Sequence, residues 1–115
     1  GCSFNCASMR GAIMDGACMD EAALQGVNLG QASMKGASLR KVTLPEGTLD
    51  GADLSEADLT DAHAPRASCV RSVFKACEMP GSVWEDANFE SADLSDAVAT
   101  GASFRGCLLA GTVLK

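Results

Sequence analysis

The sequence predicts an all-β solenoid built from short extended segments and evenly spaced turns. The 115 residues divide into blocks of five, from GCSFN to GTVLK, without an insertion. The fourth residue of every block is apolar, and the second is Ala in 14 blocks and another small or β-branched residue in the rest. Ten of the 12 glycines occupy the first position, which predicts a turn every five residues.

An α-helix does not fit this pattern. A step of five residues rotates about 140° around a helix of 3.6 residues per turn, so the apolar positions would be spread over every helical face. In an extended segment the second and fourth residues lie on the same side of the backbone, which predicts that both point inward. The first, third and fifth residues carry nearly all the charges and are expected to face water. Successive turns then stack as a solenoid.

Composition narrows the classes of function. Apolar residues make up 47% of the chain but aromatic residues only 4%, so Ala, Leu and Met must build most of the core. No apolar run approaches the roughly 18 residues of a membrane span, so no membrane partner is expected. The net charge of -6 argues against direct binding to nucleic acid, because phosphate contacts need clustered Lys and Arg.

Cysteine and histidine positions argue against a metal site or an enzyme. The six cysteines form no C-x-x-C pair. Cys2, Cys69, Cys77 and Cys107 fall at inward positions, whereas Cys18 and Cys6 are the thiols expected to be exposed. This favours reduced thiols and a cytoplasmic protein. The single histidine, His63, has no activated nucleophile nearby, so we expect no catalytic residue, no metal and no cofactor.

Four blocks carry a family signature, A-(D/N)-L-x-x. They are Ala52-Asp53-Leu54, Ala57-Asp58-Leu59, Ala87-Asn88-Phe89 and Ala92-Asp93-Leu94. With them the chain resembles the pentapeptide-repeat family along its whole length. The resemblance implies a right-handed four-sided β-helix with 20 residues in each coil, hence about 5.75 coils in one domain covering residues 1–115. Opposite charges recur at spacings of both 20 and 15 residues, so charge by itself leaves a three-sided coil open.

The function expected for such a solenoid is non-enzymatic protein–protein interaction or scaffolding through a rigid charged surface. The partner would be another protein with a basic surface, and the candidate partner-binding residues are Glu46, Asp50, Asp86 and Glu90, expected on one side. One alternative that the resemblance implies is a DNA mimic that inhibits or protects a type II topoisomerase such as gyrase. Another is a repeat domain of a bacterial secretion-system adaptor or effector.

Outward apolar side chains suggest an interface near the C-terminus. Val98, Leu108 and Val113 hold third positions that should face solvent. The inward Leu109 and Leu114 belong to a last coil without a polar cap, which predicts open strand edges and exposed core residues. We therefore expect either that the chain is a fragment of a longer protein or that it forms a homodimer through a solenoid end.

Overall fold

The computed structural model describes residues 8–114. Within this range there is no α-helix, and the β-structure consists of single-residue parallel bridges at the third position of each block. Each bridge joins a residue to the one 20 positions later, from Ser8 with Asn28 to Asp93 with Val113. Four blocks therefore make one coil in the described range, and the three-block coil that charge spacing left open does not occur there.

Backbone hydrogen bonds between coils follow one rule wherever both neighbouring coils lie within residues 8–114. The fourth N–H donates to the third C=O of the following coil, as Leu24 does to Thr43 at 2.7 Å. The first N–H donates to the fifth C=O of the following coil, and the third N–H donates back to the second C=O of the preceding coil. The second N–H closes the turn onto the fourth C=O before it, as Val27 does onto Leu24 at 3.1 Å. The coils are thus held in fixed register by the backbone alone.

Apart from that of Gln25, the fifth N–H groups of residues 8–114 donate to no backbone carbonyl. In some blocks a third-position Asp or Asn of the same block accepts it, as Asp53 accepts the Ser55 N–H at 3.0 Å. In others a fifth-position Asp of the preceding coil accepts it, as Asp50 accepts the Val70 N–H at 2.9 Å. A third solution removes the donor, since Pro45, Pro65 and Pro80 all occupy fifth positions. The family signature and the proline positions therefore have one physical cause.

Every first position from Gly11 to Gly111 has a positive φ. This confirms the predicted turn every five residues and explains the glycines, which adopt the left-handed region without a steric penalty. Other residues take the same conformation where glycine is absent, including Glu21 at φ 61° and Ala76 at φ 57°. The left-handed turn is therefore set by the stacked coils rather than by glycine.

The core consists of the second and fourth side chains, as predicted. All of them from Ala22 to Leu94 are buried. Phe74, Trp84 and Phe89 pack edge to face with ring centroids 5.3–5.6 Å apart. In the last described coil the inward leucines are uncovered, with Leu109 41% and Leu114 65% exposed, as the sequence predicted.

The third-position bridges define four sides, which we number in chain order. Side 1 carries Ser8, Asn28, Thr48, Ser68, Asn88 and Leu108; side 2 carries Ile13, Ser33, Asp53, Val73, Asp93 and Val113; side 3 carries Cys18, Ser38, Asp58, Glu78 and Val98; side 4 carries Ala23, Thr43, His63, Val83 and Ser103. The fifth residue of one block and the first of the next form the corner between two sides.

No helix in residues 8–114 is long and apolar enough to cross a membrane.

Candidate functional site

The four acidic candidates frame side 1. Glu46 and Asp86 lie at its corner with side 4, and Asp50 and Glu90 lie at its corner with side 2. Two coils separate Glu46 and Asp50 from Asp86 and Glu90, because the sequence interval is 40 residues and each coil takes 20. Arg66 occupies the intervening coil at the Glu46 corner, so the acidic surface is divided rather than continuous.

Two of these carboxylates are engaged within the chain. Asp50 Oδ1 accepts the Ser68 hydroxyl at 2.6 Å and the Val70 N–H at 2.9 Å, which ties one coil to the next. Glu46 lies 3.7 Å from Arg66 in an exposed ion pair. Such exposed pairs contribute only about 0–1 kcal/mol, so Glu46 is weakly held, whereas Asp50 has a structural role.

Asp86 and Glu90 are the carboxylates of this set that the fold leaves free. Neither side chain forms a hydrogen bond or an ion pair within residues 8–114. The Glu90 N–H is satisfied by Asn88 Oδ1 at 2.9 Å, which fixes the backbone while leaving the carboxylate available. Asp86 lines a shallow groove together with Glu85 and Arg105. Of the four candidates, the two free carboxylates therefore lie in the same coil.

Opposite charges 20 residues apart do not always form ion pairs in this structure. Asp15 and Asp20 do not form ion pairs with Lys35 and Arg40. Their carboxylates instead accept the backbone N–H groups of those residues at 2.9 and 3.0 Å. Those two cations pair with third-position carboxylates 18 residues later, at 3.6 Å for Asp53 and 3.9 Å for Asp58. The reason is the short Asp side chain, which at a corner lies within hydrogen-bond distance of the backbone N–H of the next coil.

The same hydrogen bonds lower the pKa of three aspartates. The Ser33 hydroxyl and then the Lys35 N–H lower the pKa of Asp15. The Ser38 hydroxyl and then the Arg40 N–H do so for Asp20. For Asp53 burial is the largest single influence and raises the pKa. The hydroxyl and N–H of the serine two residues later outweigh it, so the pKa is lowered overall.

The predicted apolar interface is not one patch. Val98 is 50%, Leu108 56% and Val113 39% exposed, in line with their outward positions, but they lie on sides 3, 1 and 2 respectively. Sequence reasoning missed Ile13, which is 81% exposed on side 2. Its third position in the block GAIMD is the signal that could have revealed it.

The thiols divide as the inward and outward positions predict. Cys18 is exposed and Cys69 and Cys77 are buried, while Cys107 is half-buried. Burial raises the pKa of Cys77 to about 12 and raises that of Cys69 as well. Cys2 and Cys6 lie outside the described residues.

Side 4 carries the single histidine. His63 is exposed and bridges to Thr43 in the preceding coil and Val83 in the following one. Among residues 8–114 no group of three or more His, Cys, Asp or Glu side chains is arranged to hold a metal ion.

A backbone of stacked 20-residue coils with uncharged inner positions defines a β-solenoid repeat protein. The sequence matches the family model for pentapeptide repeats in eight copies, over residues 1–31, 22–61, 52–82 and 67–106. The chain belongs to the pentapeptide-repeat family. Comparison with curated protein sequences gave no significant match.

Several solved structures of pentapeptide repeat proteins are similar to this chain. A pentapeptide repeat protein, Rfr23, from the cyanobacterium Cyanothece 51142 is 17% identical, with a TM-score of 0.56 over 98% of this chain and 91% of that one. HetL from Nostoc sp. strain PCC 7120, involved in heterocyst differentiation regulation, is 24% identical with a TM-score of 0.43, over 97% of this chain and 65% of HetL. QnrB1, a plasmid-mediated fluoroquinolone resistance protein, is 15% identical with a TM-score of 0.38, over 97% and 72%. Membership of the family and the similarity to Rfr23 imply a right-handed quadrilateral β-helix.

Proposed function

We propose that this chain is a non-enzymatic scaffold that binds a protein with a basic surface through side 1. The observation that carries the proposal is the pair of free carboxylates, Asp86 and Glu90, at the two corners of side 1 in one coil. Asn88 lies between them, and Ser68 precedes it in the same column. The partner would therefore meet an uncharged polar strip flanked by acid.

Rigidity makes this surface useful for recognition. Four of the five N–H groups in a repeat bond to backbone carbonyls, and side chains satisfy many of the remaining ones. A surface held in this way loses little conformational entropy on binding, so even a few charged contacts can contribute to affinity and to the association rate. We further propose that the whole chain forms about 5.75 coils of this kind, with 20 residues in each.

The available acid differs from the four residues that the sequence singled out. Asp50 supports the stacking of coils and Glu46 is paired with Arg66, so neither is a clean probe of partner binding. Glu85 adjoins Asp86 in the groove that Arg105 also lines. We therefore assign the binding role to the acid of one coil, Glu85, Asp86 and Glu90.

Affinity capture with matched variants tests this assignment. The variant Asp86→Lys with Glu90→Lys should lose a partner that the native chain retains. The control, Glu21→Lys with Glu78→Lys, makes the same change in net charge at exposed positions away from side 1. A partner retained equally by all three proteins would contradict a role for side 1, as would one lost equally from both variants.

Gyrase inhibition or protection is the runner-up, and it has a separate test. Arg66, Arg71 and Lys75 form a basic coil between the acidic ones, so the surface lacks the continuous negative charge of a DNA duplex. We expect no effect on gyrase supercoiling at micromolar protein. Inhibition that the Asp86→Lys, Glu90→Lys variant abolishes would favour DNA mimicry over the scaffold.

Three further expectations belong to this proposal. A role in a bacterial secretion-system adaptor or effector fits the same kind of surface and would appear as capture of a secretion component. A cytoplasmic location is supported by the buried free thiols of Cys69 and Cys77. The homodimer through a solenoid end stays a prediction, motivated by the exposed Leu109 and Leu114.

A further inference from the structure

From the second coil onward, side 2 carries charge in bands that change sign from one coil to the next, whereas the corners of the first coil hold Arg10 and Asp15, which are of opposite sign. Its two corners hold Asp50 and Glu56 in one coil, then Arg71 and Lys75 in the coil that follows. The next coil is acidic again, with Glu90 and Asp96 at its corners. The coil before Asp50 and Glu56 carries a cation, Lys35. Stacked backbones fix the spacing between bands at about 4.8 Å. A partner must match this alternation in both sign and spacing.

Most of the charged side chains at the corners of side 2 form no hydrogen bond or ion pair within the described residues. Glu56, Arg71, Lys75 and Asp96 are exposed, and none forms a side-chain hydrogen bond or an ion pair within residues 8–114. Asp50 uses Oδ1 for both of its hydrogen bonds, so no hydrogen bond occupies its Oδ2. The bands therefore retain their capacity to pair with charges outside the chain.

A second copy of this chain supplies the matching pattern. Consider a twofold axis that lies in the plane of side 2, perpendicular to the solenoid axis, midway between the rows of Asp53 and Val73. This axis places side 2 of one chain against side 2 of the other with the coils in reverse order. Each corner of side 2 then faces the same corner of the second chain. The basic band of one chain then faces the acidic band of the other. The opposed pairs are Arg71 with Asp50, Lys75 with Glu56 and Lys35 with Asp96, each formed twice.

The third-position column adds an apolar contact at each end of this arrangement, whereas at its centre Asp53 of each copy faces Val73 of the other. The same axis places Ile13 opposite Val113, which brings an 81% exposed isoleucine against a 39% exposed valine at both ends of the contact. Burying apolar side chains that otherwise face water favours association. An exposed Ile13, which has no evident use in the monomer, thereby acquires a partner.

Registers displaced by half a coil bring like charges together. Moving the axis by half a coil sets one row against its own copy, so that Arg71 faces Arg71 or Asp50 faces Asp50. Like charges directly opposed are unfavourable, so the alternation excludes these registers. A register displaced by a full coil, with the axis midway between the rows of Val73 and Asp93, also pairs Arg71 with Glu90 and Lys75 with Asp96, but it loses the contacts of Lys35 and Ile13. A side measuring roughly 30 by 20 Å, from body extents of 31 × 24 × 21 Å, would bury on the order of 1,200 Å² in total, at the lower end of specific interfaces.

We propose that side 2 is the contact surface of an antiparallel homodimer in the register that pairs Lys75 with Glu56 of the second copy. This assembly leaves the corner between sides 4 and 1, with Glu85 and Asp86, open on both subunits. It shares the corner between sides 1 and 2, where Asp50 and Glu90 lie, with the surface assigned to the side 1 partner. It also differs from association through a solenoid end, which would leave side 2 exposed.

Sedimentation velocity across about 1–200 μM protein tests the proposal with a charge swap. The native chain should dimerise at low salt, and the dissociation constant should rise at least tenfold at about 0.5 M NaCl because exposed pairs are screened. Lys75→Glu alone and Glu56→Lys alone each set like charges together twice and should remain monomeric. The two single variants mixed in equal amounts should form a heterodimer, and the double variant should dimerise again.

Matched controls at the corner between sides 3 and 4 are Lys41→Glu and Glu21→Lys, which should dimerise like the native chain. Both test positions accept either charge in the folded chain, since acidic and basic residues alike occupy first and fifth positions elsewhere in the repeat. A native chain that stays monomeric at low salt would overturn the proposal. So would a dimer unaffected by the single variants, which would instead indicate an end-to-end contact, or a double variant that does not recover.

Discussion

The Ser68 hydroxyl donates a 2.6 Å hydrogen bond to the carboxylate of Asp50, which belongs to the preceding coil. The same carboxylate oxygen accepts the Val70 N–H, so one side chain satisfies a donor that the repeat leaves without a backbone partner. A surface residue chosen for its charge thus also holds two coils together. This dual use separates the acidic residues that display charge from those that maintain the solenoid.

Asp50→Ala should therefore lower the free energy of unfolding by about 1–2 kcal/mol, since it leaves the Val70 N–H and the Ser68 hydroxyl without their acceptor. Urea unfolding measures the change. A double-mutant cycle with Ser68→Ala should give a coupling of about 0.5–1.5 kcal/mol. The control is Glu90→Ala, at the same corner but without a side-chain hydrogen bond, and it should be nearly neutral. Equal losses for Asp50→Ala and Glu90→Ala would contradict the structural role.

Backbone conformation predicts opposite effects at two first positions. Gly36 has φ +66° and open space where a Cβ would lie, so Gly36→Ala should cost about 1 kcal/mol through the left-handed conformation alone. Ala76 already has φ 57°, so Ala76→Gly should relieve a similar strain and stabilise the chain by up to about 1 kcal/mol. Thermal unfolding would show the two signs. Destabilisation by both substitutions would contradict this account.

Acid should weaken the solenoid through its hydrogen-bonded aspartates. The pKa of Asp20 is lower in the folded chain, so its contribution to stability is present above the ordinary pKa near 4 and is lost as the pH falls through the folded value. Asp20→Asn should flatten the dependence of Tm on pH between about pH 5 and 2.5. The neighbouring Glu21→Gln is the control and should leave the slope closer to that of the native chain. An unchanged slope in Asp20→Asn would show that this group is not responsible.

Thiol labelling should follow burial. At pH 8 in the folded chain, Cys18 should react with iodoacetamide at least about 100-fold faster than Cys77, because Cys77 is buried and burial raises its pKa to about 12. Peptide mass spectrometry would measure both rates. In denaturant the two rates should converge, which serves as the internal control. Comparable native rates would mean that the core opens far more readily than its packing indicates.

Core truncation should depend on the coil. Leu54 is fully buried, so Leu54→Ala should cost about 2–5 kcal/mol. Leu114 occupies the same block position but is 65% exposed, so Leu114→Ala should cost less than about 1 kcal/mol. Urea unfolding of both variants would measure the contrast, and similar losses would contradict the exposure of the last coil.

The sequence alone was sufficient to predict which positions point inward. The side chains at the second and fourth positions alternate with outward ones, and this period depends only on extended-chain geometry. It therefore placed Leu54 and Cys77 in the core and Cys18 and Val98 outside. The glycines likewise marked the left-handed turns, although Ala76 and Glu21 show that the turn persists without glycine.

Tertiary structure decided the number of blocks per coil and the role of each acidic residue. Charges recur at 15 and at 20 residues alike, and only the bridges between coils distinguish these intervals. The same five-residue period assigns Asp50 and Glu90 the same kind of corner, yet the neighbours stacked beside them make one a structural acceptor and leave the other free. The physical reason is that a local period sets the direction of a side chain, whereas its contacts come from residues about 20 positions away.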